Sequence, residues 1–152
     1  MGNISFIIPK ENLKDFTVTG IVKLVKDNLC EKLNLSIELH PTGQIIIKDK
    51  DEETVCEIWN SEDGCYLLDE SNEDGSSSNT KKWFKKLKEA DLKDTDQCIG
   101  ISYGWTLDSH KVRTKILTFL IKYFKGYWLD EGIHPEFISY DEKYLDKYVL
   151  KD

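Results

Sequence analysis

The period of apolar positions changes several times along the chain, and each change predicts an element. Ile4 to Ile8 is a mainly apolar run closed by Pro9, the pattern of a strand. From Thr19 the residues Val22, Val25, Leu29 and Leu33 recur every three or four positions, with Lys23, Lys26, Asp27, Glu31 and Lys32 between them. That spacing predicts an amphipathic helix capped by Thr17 or Thr19 and ending near Asn34, a residue that tolerates the left-handed conformation. Leu35 to His40 and Gln44 to Lys48 then flank Pro41-Thr42-Gly43 and read as a hairpin, because proline presets one turn dihedral and glycine supplies a positive one. Thr54 to Trp59 and Cys65 to Leu68 flank Asn60-Ser61-Glu62-Asp63-Gly64 in the same way, so the two hairpins predict a four-stranded antiparallel meander.

Residues Asp69 to Lys82 contain no apolar side chain and are expected to form a mobile acidic, Ser-rich loop. Trp83, Phe84 and Leu87 share one side of a short lysine-rich helix, and Cys98 to Trp105 is the next strand, with Gly100 and Gly104 marking a bulge or a close backbone approach. The strongest helical pattern starts at Ser109 as N-cap, has Val112, Ile116, Leu117, Phe119, Leu120, Tyr123 and Phe124 as its buried stripe, and stops at Gly126. Tyr127 to Leu129 gives a last short strand and Asp141 to Leu150 a terminal helix. A block of strands followed by mixed helices and strands predicts one α+β domain over residues 1–152, a largely antiparallel sheet with helices packed on one face. The strands ending at Trp105 and starting at Tyr127 form a crossover if they are parallel, a pairing left open by the sequence.

Composition narrows the chemistry. The longest apolar cluster, Ile116 to Phe124, is interrupted by Thr118 and Lys122, too short to span a bilayer, and the opening MGNISFIIPK lacks a basic signal-peptide region, so a cytoplasmic protein is expected. One arginine, Arg113, stands against twenty lysines. Arginine is the commonest reader of guanine edges, so nucleic acid is not the expected partner. The four cysteines show neither CxxC spacing nor companion histidines at zinc-finger intervals, and read as free, mostly buried thiols with no metal. No GxSxG, HExxH, P-loop or GxGxxG occurs, so no cofactor and no catalytic residue is assigned. Asp108, His110 and Asp130, with Glu131 and His134 nearby, are the one set that an enzyme would use if they converge; helix capping and a turn account for the same residues.

Charge is distributed unevenly. Residues 49 to 74 hold eleven acids and one base, a local charge of −10 in a chain whose total is −7. Such a stretch steers a basic partner, and it also keeps turns solvated. Alternation places one of Ile58 and Trp59, and one of Tyr127 and Trp128, on an outward face, where aromatic residues serve as interface anchors. The segment Lys81 to Lys88 carries five lysines among Trp83, Phe84 and Leu87, the form of a nucleic-acid or partner contact, or of a short helix packed on the sheet.

With its size, its acidic strand-turn segment and the stretch GISYGWTLDSHKVRTKILTFLIKYFKGYWLDEG (Gly100 to Gly132), the chain resembles the immunity proteins of bacterial contact-dependent and related polymorphic toxin systems. The resemblance implies a stoichiometric inhibitor that covers a cognate basic toxin, commonly a nuclease, with acids standing in for phosphate. On that basis the partner-binding residues are expected to be Asp51, Glu52, Glu53, Glu57, Trp59, Glu62, Asp63, Tyr66, Asp69 and Glu70.

Overall fold

Strand β1 (Ile4–Ile8) is buried at Ser5, Phe6, Ile7 and Ile8, so both of its faces are covered, and it lies between two other strands. The computed structural model describes residues 4–61, 98–102, 106–130 and 134–149. Seven strands in these segments form one sheet: β2 (Ser36–Leu39), β3 (Ile45–Lys48), β4 (Thr54–Ser61), β5 (Cys98–Ser102), β1, β6 (Tyr127–Asp130) and β7 (His134–Ser139), in that spatial order. Every neighbouring pair is antiparallel. The class is α+β, as the pattern predicts.

The first helix, α1 (Val18–Val25), is capped by Thr17, whose side chain accepts from the Gly20 amide at 3.0 Å. It continues through a π-helical segment, Lys26–Cys30, and a last α turn, Glu31–Leu33, and ends at Asn34 with φ 55°. The fully buried residues are Ile21, Val25 and Leu29, spaced by four, while Val22 and Leu33 are only half-buried. A strict four-residue spacing drifts around an α-helix, and the wider π turn offsets that drift.

The long helix α2 (Leu107–Phe124) starts two residues before the expected cap. Thr106 is the N-cap and Ser109 closes a reciprocal box with it, the Ser109 amide donating to Thr106 Oγ1 at 3.0 Å and the Thr106 amide to Ser109 Oγ at 2.8 Å. Its inward stripe includes Arg113, Thr114 and Thr118 besides Ile116, Leu117, Leu120, Ile121 and Phe124, whereas Val112, Phe119 and Tyr123 lie at the flank. The left-handed residue after α2 is Lys125, not Gly126. Gly126 is needed for another reason: a Cβ there would lie 1.8 Å from the Ile8 carbonyl oxygen. The backbone of the β1–α1 connection closes over the same end of α2, since the Lys10 and Glu11 amides donate to Phe124 O and Asn12 Nδ2 to Tyr123 O. Helix α3 (Glu142–Val149) is capped by Asp141 and buries Leu145.

β5 and β6 both run antiparallel to β1, so they are parallel to each other with β1 inserted between them, and α2 is their crossover. The helices share one side of the sheet, where Ile7, Ile45, Ile47, Ile58, Ile99 and Ile101 meet them. On the alternate positions Phe6, Ile8, Cys98 and Leu129 are also buried. Two further sequence expectations change. β4 runs on through Asn60 and Ser61 instead of turning there, and over Ile58 to Ser61 its second partner is β5. A strand at His134–Ser139 was not expected, because Pro135 breaks the pattern; β7 lies at the sheet edge, where a missing N–H costs little. Cys65 to Leu68, the acidic loop 69–82 and the helix around Trp83 lie outside the described residues.

Arg113 has no solvent exposure, and its Nε donates to Ser102 O at 2.9 Å, while Nη2 donates to Ile101 O at 3.2 Å and to Ser5 Oγ. Arg113→Met keeps the aliphatic stem and removes these bonds, so it is expected to cost about 3 kcal/mol in urea unfolding. Lysine does not restore it, because one ammonium cannot reach both strands as a guanidinium fork does. Gly126→Ala is expected to cost about 3 kcal/mol as well, by forcing β1 and the start of β6 apart.

Candidate functional site

The acidic β3–β4 turn is built by one side chain. Asp49 Oδ1 accepts from the amides of Asp51 at 2.9 Å and Glu53 at 3.0 Å, while the Asp49 amide donates to Glu53 O at 2.9 Å. Glu52 sits in the left-handed region at φ 61°, where glycine or asparagine meets less strain. Asp51, Glu52 and Glu53 are all exposed by this turn.

Along β4 the side chains alternate. Cys56 and Ile58 face the core, while Glu57 is half-buried and Trp59 is 38% exposed on the outward face. The register places Ile46 opposite both Glu38 and Glu57, so the outward face of β2–β3–β4 carries Glu38, Gln44, Ile46, Lys48, Glu57 and Trp59. Glu38 and Lys48 form an exposed pair at 2.7 Å. The lysine's hydrogen bond and charge hold the Glu38 carboxyl below the usual range, and the carboxylate raises Lys48 in return. Glu57 Oε2 accepts from Gln44 Nε2 at 2.8 Å. At about 3.3 Å per residue, Glu57 lies about 13 Å from Glu53 and Trp59 about 20 Å, so among the described residues of this segment the turn acids and Glu57 are spread along β4. Gln44, Ile46 and the Glu38–Lys48 pair were not singled out from the sequence, although alternation across the Pro41-Thr42-Gly43 hairpin carried the signal.

The other expected residues are distributed as follows. Glu62, Asp63, Tyr66, Asp69, Glu70 and the segment Lys81 to Lys88 lie outside the described residues, as do Tyr103 and Trp105. Trp128 is 1% exposed and belongs to the core against Tyr144, so it is not a surface anchor, whereas its neighbour Tyr127 is half-buried. Asp108 is exposed and His110 half-buried, both in the first turn of α2. The backbone register pairs Asp130 with Ser5 on one side and His134 on the other. Among the described residues no three His, Cys, Asp or Glu side chains gather as a metal site, and no helix is long and apolar enough to cross a membrane.

No family model, curated protein or solved structure matches this chain.

Cys30, Cys56 and Cys98 are not disulfide-bonded, and the last two are buried. Burial pushes the Cys56 thiol up to about 12, with the Arg113 charge pulling the other way. Its folded pKa therefore stands above the ordinary 9.0, so the stability it supports is intact below pH 9 and is lost as pH rises from there toward 12. With Cys30 and Cys65 replaced by serine, Cys56 and Cys98 are expected to stay unlabelled by an aromatic disulfide at pH 8 until urea unfolds the chain. Labelling of the folded protein at the rate of a free thiol contradicts this burial.

Proposed function

We propose that this protein is a non-catalytic, cytoplasmic binding protein that neutralises a basic protein toxin, using the outward face of β3–β4 and the acidic turn beside it. The observation that supports this reading is the pairing of an exposed indole, Trp59, with a carboxylate, Glu57, on the outward face of one strand. An exposed tryptophan costs solubility, and tryptophan is among the residues most enriched at the energetic centres of interfaces. The three exposed acids of the turn, within a segment of local charge −10, supply the long-range part. Their field speeds encounter with a basic surface and disfavours nucleic acid.

The division of labour is physical. Asp51, Glu52 and Glu53 stand about 13 Å or more from Glu57, beyond a Debye length at physiological salt, so they act chiefly on the approach of the partner. Trp59 and Glu57 act once contact is made. Immunity-type inhibition needs only such occupancy, with no reaction at this chain's own residues.

The test is coexpression with the product of the adjacent gene, with association rates measured on the purified pair. Wild type is expected to restore growth, and the triple variant Asp51→Lys, Glu52→Lys, Glu53→Lys to slow association about tenfold or more at low salt. Failure of the wild-type protein to protect overturns the reading. Equal association rates for wild type and the triple variant overturn its acidic surface.

A further inference from the structure

Two carboxylates lie on the outward face of β2–β4, and they differ. Glu38 is already met by Lys48 at 2.7 Å, whereas Glu57 is met by a neutral amide, Gln44, through Oε2 alone among the described residues. Gln44 thereby orients the Glu57 carboxylate and leaves Oε1 as an acceptor. Two residues further along, Trp59 lies opposite Gly100 of β5, which has no side chain to lie across the indole. Glu57 and Trp59 have Cα atoms about 7 Å apart on the same face, and Ile46, the register partner of Glu57, adds a half-buried apolar surface beside them.

Resting on the binding-protein reading above, we infer that this face receives an arginine side chain of the partner, its guanidinium stacked on Trp59 and donating to Glu57 Oε1. The chemistry selects that group. A guanidinium is flat, permanently charged and weakly hydrated, so it stacks on an indole while its edge donates to a carboxylate. A lysine ammonium is a strongly hydrated point that engages the carboxylate without covering the ring. The distance between the indole and the carboxylate suits a long side chain lying along the strand, and the local charge of −10 favours a basic segment over an acidic or neutral one.

The test uses the full chain labelled with 15N at tryptophan indoles, titrated with hexa-arginine and hexa-lysine peptides at equal ionic strength. The Trp59 signal is assigned by its loss in Trp59→Phe. Hexa-arginine is expected to shift that signal and to bind about tenfold more tightly than hexa-lysine. Glu57→Gln, a nearly isosteric change, and Trp59→Leu are each expected to remove most of that preference. The triple lysine variant of the turn is expected to weaken both peptides alike and to keep the preference. An arginine preference that survives in both Glu57→Gln and Trp59→Leu overturns the site while leaving the acidic surface standing. Equal binding of the two peptides by wild type does the same. Absence of binding by either peptide overturns the arginine site together with the electrostatic part of the surface reading.

Discussion

The guanidinium of Arg113 holds three elements in one arrangement. It is fully buried on α2 and donates to the carbonyls of Ile101 and Ser102 on β5 and to the Ser5 hydroxyl on β1. A buried cation is tolerated only where its donors are met, so α2 cannot slide along the sheet without leaving a charge desolvated and poorly bonded. The far end of the same helix is held by the Lys10 and Glu11 amides on Phe124 O and by the close approach of Gly126 to Ile8. With both ends pinned, α2 delivers β6 to the free side of β1, and the parallel pair β5 and β6 ends up straddling it.

This arrangement divides the sheet into two unlike halves. At β5, β1 and β6 both faces carry buried residues: Ile7, Ile99, Ile101 and Trp128 on the helix side, and Phe6, Ile8, Cys98 and Leu129 on the other. From β4 to β2 the helix side carries Ile37, Ile45, Ile47, Cys56 and Ile58, while the outward positions include Glu38, Gln44, Ile46, Lys48, Glu57 and Trp59. In this second half the described outward side chains remain in reach of water and available for contact. Trp59 stands at the boundary, its strand partnered by Gly100 of the two-sided half.

Local physics made much of this legible in the sequence. Strand β1, the hairpin at Pro41-Thr42-Gly43, the Thr17 cap, the Asn34 stop and the outward turn of Trp59 beside inward Ile58 each follow from a few neighbouring residues. A helix or hairpin of this kind reports its own boundaries, because capping, turn dihedrals and side-chain alternation act within about four residues. The regional acidity was equally plain, and the Asp49 turn holds Asp51, Glu52 and Glu53 outward as a local pattern can.

Longer-range facts came only from the fold. Arg113 sits in the middle of an apolar stripe, and nothing in its own helix distinguishes a solvated arginine from one buried against two strands. The pairing of β4 with β5 and the edge strand β7 depend on partners far away in sequence. So do the pairing of Gln44 with Glu57 and the burial of Trp128. By itself the sequence determined the described helices α1, α2 and α3, every described strand except β7, and where negative charge is concentrated, because those depend mostly on nearest neighbours. Only the tertiary structure decided which strands meet, which cation is enclosed and which carboxylate faces outward beside an indole, because those depend on distant segments competing for one core.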